Sequence, residues 1–154
     1  MKKVLLIPML FCLFMLNVAS MCSSDDNSSS SSQDPTPVIN AATQGTWRVT
    51  SYVDSGTDET NHFTGYNFTF SNGGVLTATN GSNTVTGTWS VLNDDSNDDS
   101  PSNDLDFNIG FTAPANFADL TDDWDIVSYS ETTISLIDVS GGNGGTDTLV
   151  FTKN

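Results

Sequence analysis

Between Trp47 and Phe151, apolar and small polar side chains alternate one for one in segment after segment. Successive strand side chains point to opposite faces, so this period of two marks strands with one face buried and the other wet. Trp47, Val49, Ser51 and Val53 share one face of a first such strand. Tyr66, Phe68 and Phe70 alternate with Asn67 and Thr69. Val85, Gly87, Trp89 and Val91 alternate with Thr84, Thr86, Thr88 and Ser90. Leu105, Phe107, Ile109 and Phe111 alternate with Asp106, Asn108 and Gly110. Segments 126–129, 134–139 and 149–151 read as three more strands. Threonine on the outer face suits a half-solvated antiparallel sheet.

The punctuation agrees with this reading. Asn72-Gly73-Gly74, Asn80-Gly81 and the run 141–145 (Gly-Gly-Asn-Gly-Gly) are hairpin signals, because Asn and Gly tolerate positive φ. A longer acidic loop spans Asn93 to Asp104. A short helix is expected around 115–123, where Phe117, Leu120 and Trp124 fall at roughly helical spacing. The fold class is therefore all-β, with about eight antiparallel strands. An up-and-down barrel removes exposed edges; a β-sandwich is the alternative, and periodicity does not separate the two.

The first 21 residues stand apart. Lys2 and Lys3 precede an apolar run of 13 residues from Val4 to Leu16, short of the ~20 that span a bilayer. A basic start, a short apolar run and small residues make a signal peptide, 1–21. The stretch Val18-Ala19-Ser20-Met21-Cys22 resembles the lipobox, which lipoprotein signal peptidase cuts before a cysteine that is then acylated. Met21 departs from the usual Gly, Ala or Ser. Cleavage after Ser20, leaving a soluble protein with a free thiol, is the alternative. Cys12 leaves with the signal, so Cys22 has no cysteine to pair with, and acylation accounts for an otherwise odd thiol. Acyl chains such as palmitate anchor a protein through burial of their methylenes.

Residues 22–37 read as the lipidated cysteine and a disordered tether, with a serine run from Ser28 to Ser32. Ser23-Ser24-Asp25-Asp26-Asn27 resembles the acidic signal that sends some Bacteroidota lipoproteins to the cell surface. The expected location is the outer membrane, lipid-anchored, with the cell surface and the periplasmic leaflet both open. The domain proper is expected over 38–154.

Charge excludes one class of partner. All 19 acids lie after Cys22, against Arg48 and Lys153 as the only bases there, so the mature chain carries −17. Nucleic-acid binding needs basic patches, and anionic lipid is disfavoured too. Calcium is the sharper reading of the acids, through Asp94, Asp95, Asp98 and Asp99, or Asp119, Asp122, Asp123 and Asp125. The EF-hand pattern fails, since its sixth position is Asp99 and its twelfth Leu105, and a solvated loop is favoured. His62 is the sole histidine, beside Asp58 and Glu59. No Ser-His-acid or zinc set is evident around it, no cofactor is implied, and the chain does not read as an enzyme.

The order of features then points to a family. Gly45-Thr46-Trp47 opens the first strand, the aromatic strand 66–70 runs into a glycine turn, and Gly87-Thr88-Trp89 repeats the opening. Phe117, Leu120, Trp124, Ile134, Leu136, Leu149 and Phe151 follow. This pattern resembles the lipocalin-like domains of Bacteroidota lipoproteins over about 40–154. The resemblance implies a barrel, with Gly45 and Trp47, and their repeat Gly87 and Trp89, as structural residues. In lipocalins the first tryptophan packs at the closed base, under an arginine from late in the chain. Here no Thr-Asp-Tyr motif occurs, and the only late base is Lys153, expected after the last strand. Eight strands leave an interior either just filled or able to hold one small ligand. Tyr66, Phe68, Phe70, Phe107, Phe111, Trp124 and Tyr129 are the candidates to line a pocket for a small hydrophobic ligand, with Trp47 and Trp89 also inward. Core filling is the favoured role for most of them. No protein partner is identifiable.

Overall fold

Residues 33–93, 105–140 and 145–154 are described by the structure, a computed structural model. The segment 1–21 expected as a signal peptide, Cys22, the serine run, the Asp94–Asp99 cluster and most of the expected 141–145 turn lie outside them.

Among the described residues there are nine strands: β1 (Trp47–Asp54), β2 (Thr57–Asp58), β3 (Asn67–Ser71), β4 (Val75–Thr79), β5 (Thr84–Asn93), β6 (Leu105–Gly110), β7 (Asp122–Tyr129), β8 (Thr133–Val139) and β9 (Thr146–Lys153). From β3 onward each pairs antiparallel with the next. β9 then pairs with β1 along its length, from Trp47 opposite Lys153 to Val53 opposite Thr148. β1 meets β3 at Trp47 and Phe68. Eight strands thus close into an up-and-down, lipocalin-like barrel, and the sandwich alternative falls away. β2 is a two-residue flap folded back on the end of β1.

Alternation holds where the strands are regular. In β3, β5 and β6 the apolar phase points inward and Thr, Ser, Asn and Asp point out. Two bulges break it. Thr50 is an extra residue between the Val49–Phe151 and Ser51–Val150 pairs. An extra strand residue inverts the phase beyond it, so Tyr52, not Ser51 or Val53, enters the core opposite Leu149. Val127 is the extra residue of β7, between the Ile126–Leu136 and Ser128–Ser135 pairs.

The helix expected over 115–123 is only α2 (Ala115–Ala118). Phe117 and Leu120 are buried as their spacing implies, but Trp124 lies in β7 opposite Phe107. A second helix, α1 (Thr36–Ala42), begins inside the segment read as tether. Asp34 accepts the Thr36 amide at 2.9 Å, and Val38 and Ala42 are fully buried in the barrel mouth.

Candidate functional site

The barrel interior is the place where a lipocalin-like fold would hold a ligand, and here large side chains occupy it. Phe70 is ringed by Trp89, Phe107 and Phe151 at centroid distances of 5.2, 5.3 and 5.4 Å. Phe68 lies 5.4 Å from Phe151 and 6.0 Å from Phe117. Most of these pairs are edge-to-face, the arrangement that aromatic quadrupoles favour. Gly87 is part of this packing. A Cβ there would come within 2.3 Å of the Gly110 carbonyl and 2.6 Å of the Phe111 ring.

Both ends are covered. At the end where β1 begins, α1 plugs the mouth, and the Trp47 indole donates to the Ala42 carbonyl at 2.8 Å. The Lys153 ammonium lies 5.6 Å from the Trp47 ring. β9 runs through Lys153, so this base stands within the last strand and not after it. It occupies the role that the resemblance assigns to an arginine.

At the other end, a 3₁₀ turn (Thr60–Phe63) and α2 bring aromatic rings together over the barrel. Phe117 contacts Tyr66 at 5.0 Å, Phe111 at 5.2 Å and Phe63 at 5.4 Å. The Tyr52 hydroxyl ties this cap down by donating to the Asp119 carbonyl at 2.8 Å. Burial, with Asp54, Asp147 and Asp119 close by, pushes the Tyr52 phenol well above its ordinary value.

Six of the seven pocket candidates therefore face the core or its cap: Tyr66, Phe68, Phe70, Phe107, Phe111 and Trp124. Trp47 and Trp89 are buried with them. Tyr129 is the correction. Its pairing with Ile134 keeps it on the inner phase, but β7 ends there and the ring is 44% exposed at the rim. Alternation alone misses Tyr52 and Phe63, the first because of the Thr50 bulge, the second because it sits in a 3₁₀ turn.

Two clefts open on the outside, flanking α1. One of about 380 Å³ is bounded by Gln33, Val38, Leu105, Ile126, Val127 and Tyr129. The other, of about 200 Å³, is bounded by Ile39, Gly73, Gly74, Trp89 and Val91.

The acidic groups do not assemble. Among the described residues no three His, Cys, Asp or Glu side chains come together in a way that could hold a metal ion. Asp122 is half-buried near Asp123 and Asp138, and its carboxyl is pushed up to about 6, first by desolvation. Asp58 is held below its usual value by hydrogen bonds from Thr60. His62 is exposed, with Nδ1 3.3 Å from a Glu59 oxygen. No helix among the described residues is long and apolar enough to cross a membrane.

No protein-family model matches the sequence, and no curated protein matches it. Among solved structures, a DUF4847 family protein from Bacteroides vulgatus ATCC 8482 is similar, with a TM-score of 0.48 and 18% sequence identity. The match covers 76% of this chain and 97% of the other. A likeness of that size carries no argument about function.

Proposed function

We propose that this chain is an outer-membrane lipoprotein, anchored by acyl chains on Cys22, whose barrel works as a non-catalytic interaction module and not as a carrier of a small apolar ligand. The observation that carries the second half is the interior itself. Nine Phe, Tyr and Trp side chains are fully buried among the described residues: Trp47, Tyr52, Phe63, Phe68, Phe70, Phe107, Phe117, Trp124 and Phe151. Protein interiors packed in this way leave few voids larger than a water molecule. A ligand would have to displace rings that already contact one another, at a cost that a small apolar molecule does not repay.

The anchor is supported by the basic start, the 13-residue apolar run and the cysteine that follows. A lipid anchor fixes where a module acts, so that a modest interface on the barrel suffices once its partner shares the membrane.

Two measurements test the reading. Metabolic labelling with a fatty acid is expected to mark the wild type and not Cys22→Ser. Equal labelling, or a mature N-terminus at Met21, overturns the anchor. Native mass spectrometry of protein from its own cells is expected to show no bound small molecule inside the domain. A stoichiometric apolar adduct that survives removal of the lipidated N-terminus overturns the filled-barrel reading.

A further inference from the structure

The described residues leave five large apolar side chains exposed, and four of them lie at one end of the barrel. Val75 (44%) starts β4 beside the 72–74 turn, and Leu92 (57%) is the penultimate residue of β5. Val127 (60%) and Tyr129 (44%) close β7. Only Val139 (57%) is at the opposite end. The two clefts flanking α1 are at the same end as the four, and Val127 and Tyr129 line the larger one directly. An apolar rim of this kind, in a molecule of net charge −15, is the sort of patch that marks a contact surface.

The chain itself says what the surface faces. Gln33 borders the larger cleft, so the segment leading back to Cys22 departs from this end. Residues 23–32 cannot span more than about 40 Å even when fully extended, at ~3.3–3.6 Å per residue. We infer that the α1 end of the barrel docks on the lipid surface, with Leu92, Val127 and Tyr129 entering the headgroup region. The inference rests on the proposed anchor at Cys22. Tyrosine is enriched at this depth of a membrane, where an apolar ring meets a polar edge.

The lipid is zwitterionic. The described charges at this end are Arg48 and Lys153 against Asp34, Glu131 and Asp106, the last opposite Leu92 in the β5–β6 ladder. β5 ends and β6 begins at this end, and the sequence between them holds Asp94, Asp95, Asp98, Asp99 and Asp104. An anionic surface is therefore unfavourable, and the attraction is apolar. Docking through apolar contact is insensitive to salt, whereas a Coulombic contact weakens as the Debye length falls.

The test uses lipoprotein from its own membranes, returned to phosphatidylcholine vesicles that carry brominated acyl chains. Tyr129→Trp, Leu92→Trp and Val139→Trp each add a reporter at an exposed position, read against the buried tryptophans of the wild type. Docking predicts that the added emission of Tyr129→Trp and Leu92→Trp is quenched at least threefold more than that of Val139→Trp, equally in low and high salt. Equal quenching at all three positions, or stronger quenching of Val139→Trp, overturns the inference. The mass of the purified protein reads acylation separately. If Cys22 proves unacylated, the anchor reading fails, and the same quenching is measured after coupling that thiol to a maleimide lipid.

Discussion

The Lys153 ammonium sits 5.6 Å from the centroid of the Trp47 indole, while the indole N–H donates to Ala42 at 2.8 Å. One tryptophan thereby joins the first strand of the barrel, the last strand and the helix that plugs the mouth. Removing the charge while keeping the apolar stem isolates the cation–π part of this junction. Lys153→Met is expected to destabilise the domain by about 1 kcal/mol, and Lys153→Arg to retain stability, since either cation can sit over the ring. Urea unfolding measures both. A neutral Lys153→Met would show that the lysine stem alone covers Trp47.

A second prediction concerns room inside the barrel. At Gly87 an added Cβ meets the Gly110 backbone carbonyl at 2.3 Å and the Phe111 ring at 2.6 and 2.8 Å. Backbone cannot step aside cheaply, so Gly87→Ala is expected to cost about 3 kcal/mol, the upper part of the overpacking range. Gly81 offers the contrast. Its φ is +86° with nothing within 4 Å of an added Cβ, so Gly81→Ala carries only the left-handed backbone penalty of about 1 kcal/mol. Similar losses for the two variants in chemical denaturation would contradict the close approach at Gly87.

The contrast also shows what the sequence makes legible. The inward phase of β5, with Gly87 among its members, is readable because that strand is regular from Thr84 to Asn93. The turns at 72–74 and 80–81 are readable because Gly73, Gly74 and Gly81 take the positive φ that glycine favours. The bulges at Thr50 and Val127 are not, since nothing local distinguishes an extra residue from a paired one. Register against β9 and β8 decides it, and with it the inward turn of Tyr52. Helix α1 escapes for a related reason. Seven residues with Pro37 near the start are too few to be helical alone, and the helix is held by burial of Val38 and Ala42. A filled interior and an open one have the same alternation, so only packing separates them.

Asp122 supplies a pH dependence with a definite sign. Its carboxyl titrates near 6 in the folded protein against an ordinary 3.8, because of desolvation and the nearby Asp123 and Asp138. The folded state therefore binds a proton that the unfolded chain releases, and stability falls as pH rises through the window from 3.8 to about 6. Asp122→Asn removes this loss and still presents an oxygen to the Asp123 amide. The variant is expected to gain about 1 kcal/mol at pH 7.5, after discounting the shift for the solvent that screens a half-exposed group. Near pH 4 the gain is expected to disappear. Asp58 works in the opposite direction through its lowered pKa, so the informative quantity is the difference between variant and wild type at each pH.

The Tyr52 hydroxyl is the polar tie between β1 and the cap, through the Asp119 carbonyl at 2.8 Å. The ring has its own role, edge-on to Phe63 at 5.6 Å and to Trp124 at 6.5 Å. Tyr52→Phe keeps the ring and loses the hydrogen bond, leaving a carbonyl that the fold holds near the cap. The expected loss is about 1 kcal/mol, while Tyr52→Ala is expected to lose about 4 kcal/mol, as large aromatic truncations in cores do. Equal losses in thermal unfolding would mean that the cap depends on the hydroxyl and not on the ring.

The filled barrel can be opened on purpose. Phe70 contacts Trp89, Phe107 and Phe151, all within 5.4 Å between centroids, and is 1% exposed. Phe70→Ala removes a ring from the middle of that set and leaves an apolar void, at an expected cost of about 3–5 kcal/mol. An apolar cavity of that kind stays dry and accepts small aromatic molecules. Benzene is therefore expected to raise the melting temperature of Phe70→Ala and to leave the wild type unchanged, because a ligand stabilises only the state that has room for it. A wild type that responds to benzene as strongly as the variant would show that the native barrel already has space, and would return a small apolar ligand to the centre of its function. A variant that unfolds outright is replaced by Phe70→Leu, whose smaller void is expected to give a smaller shift of the same sign.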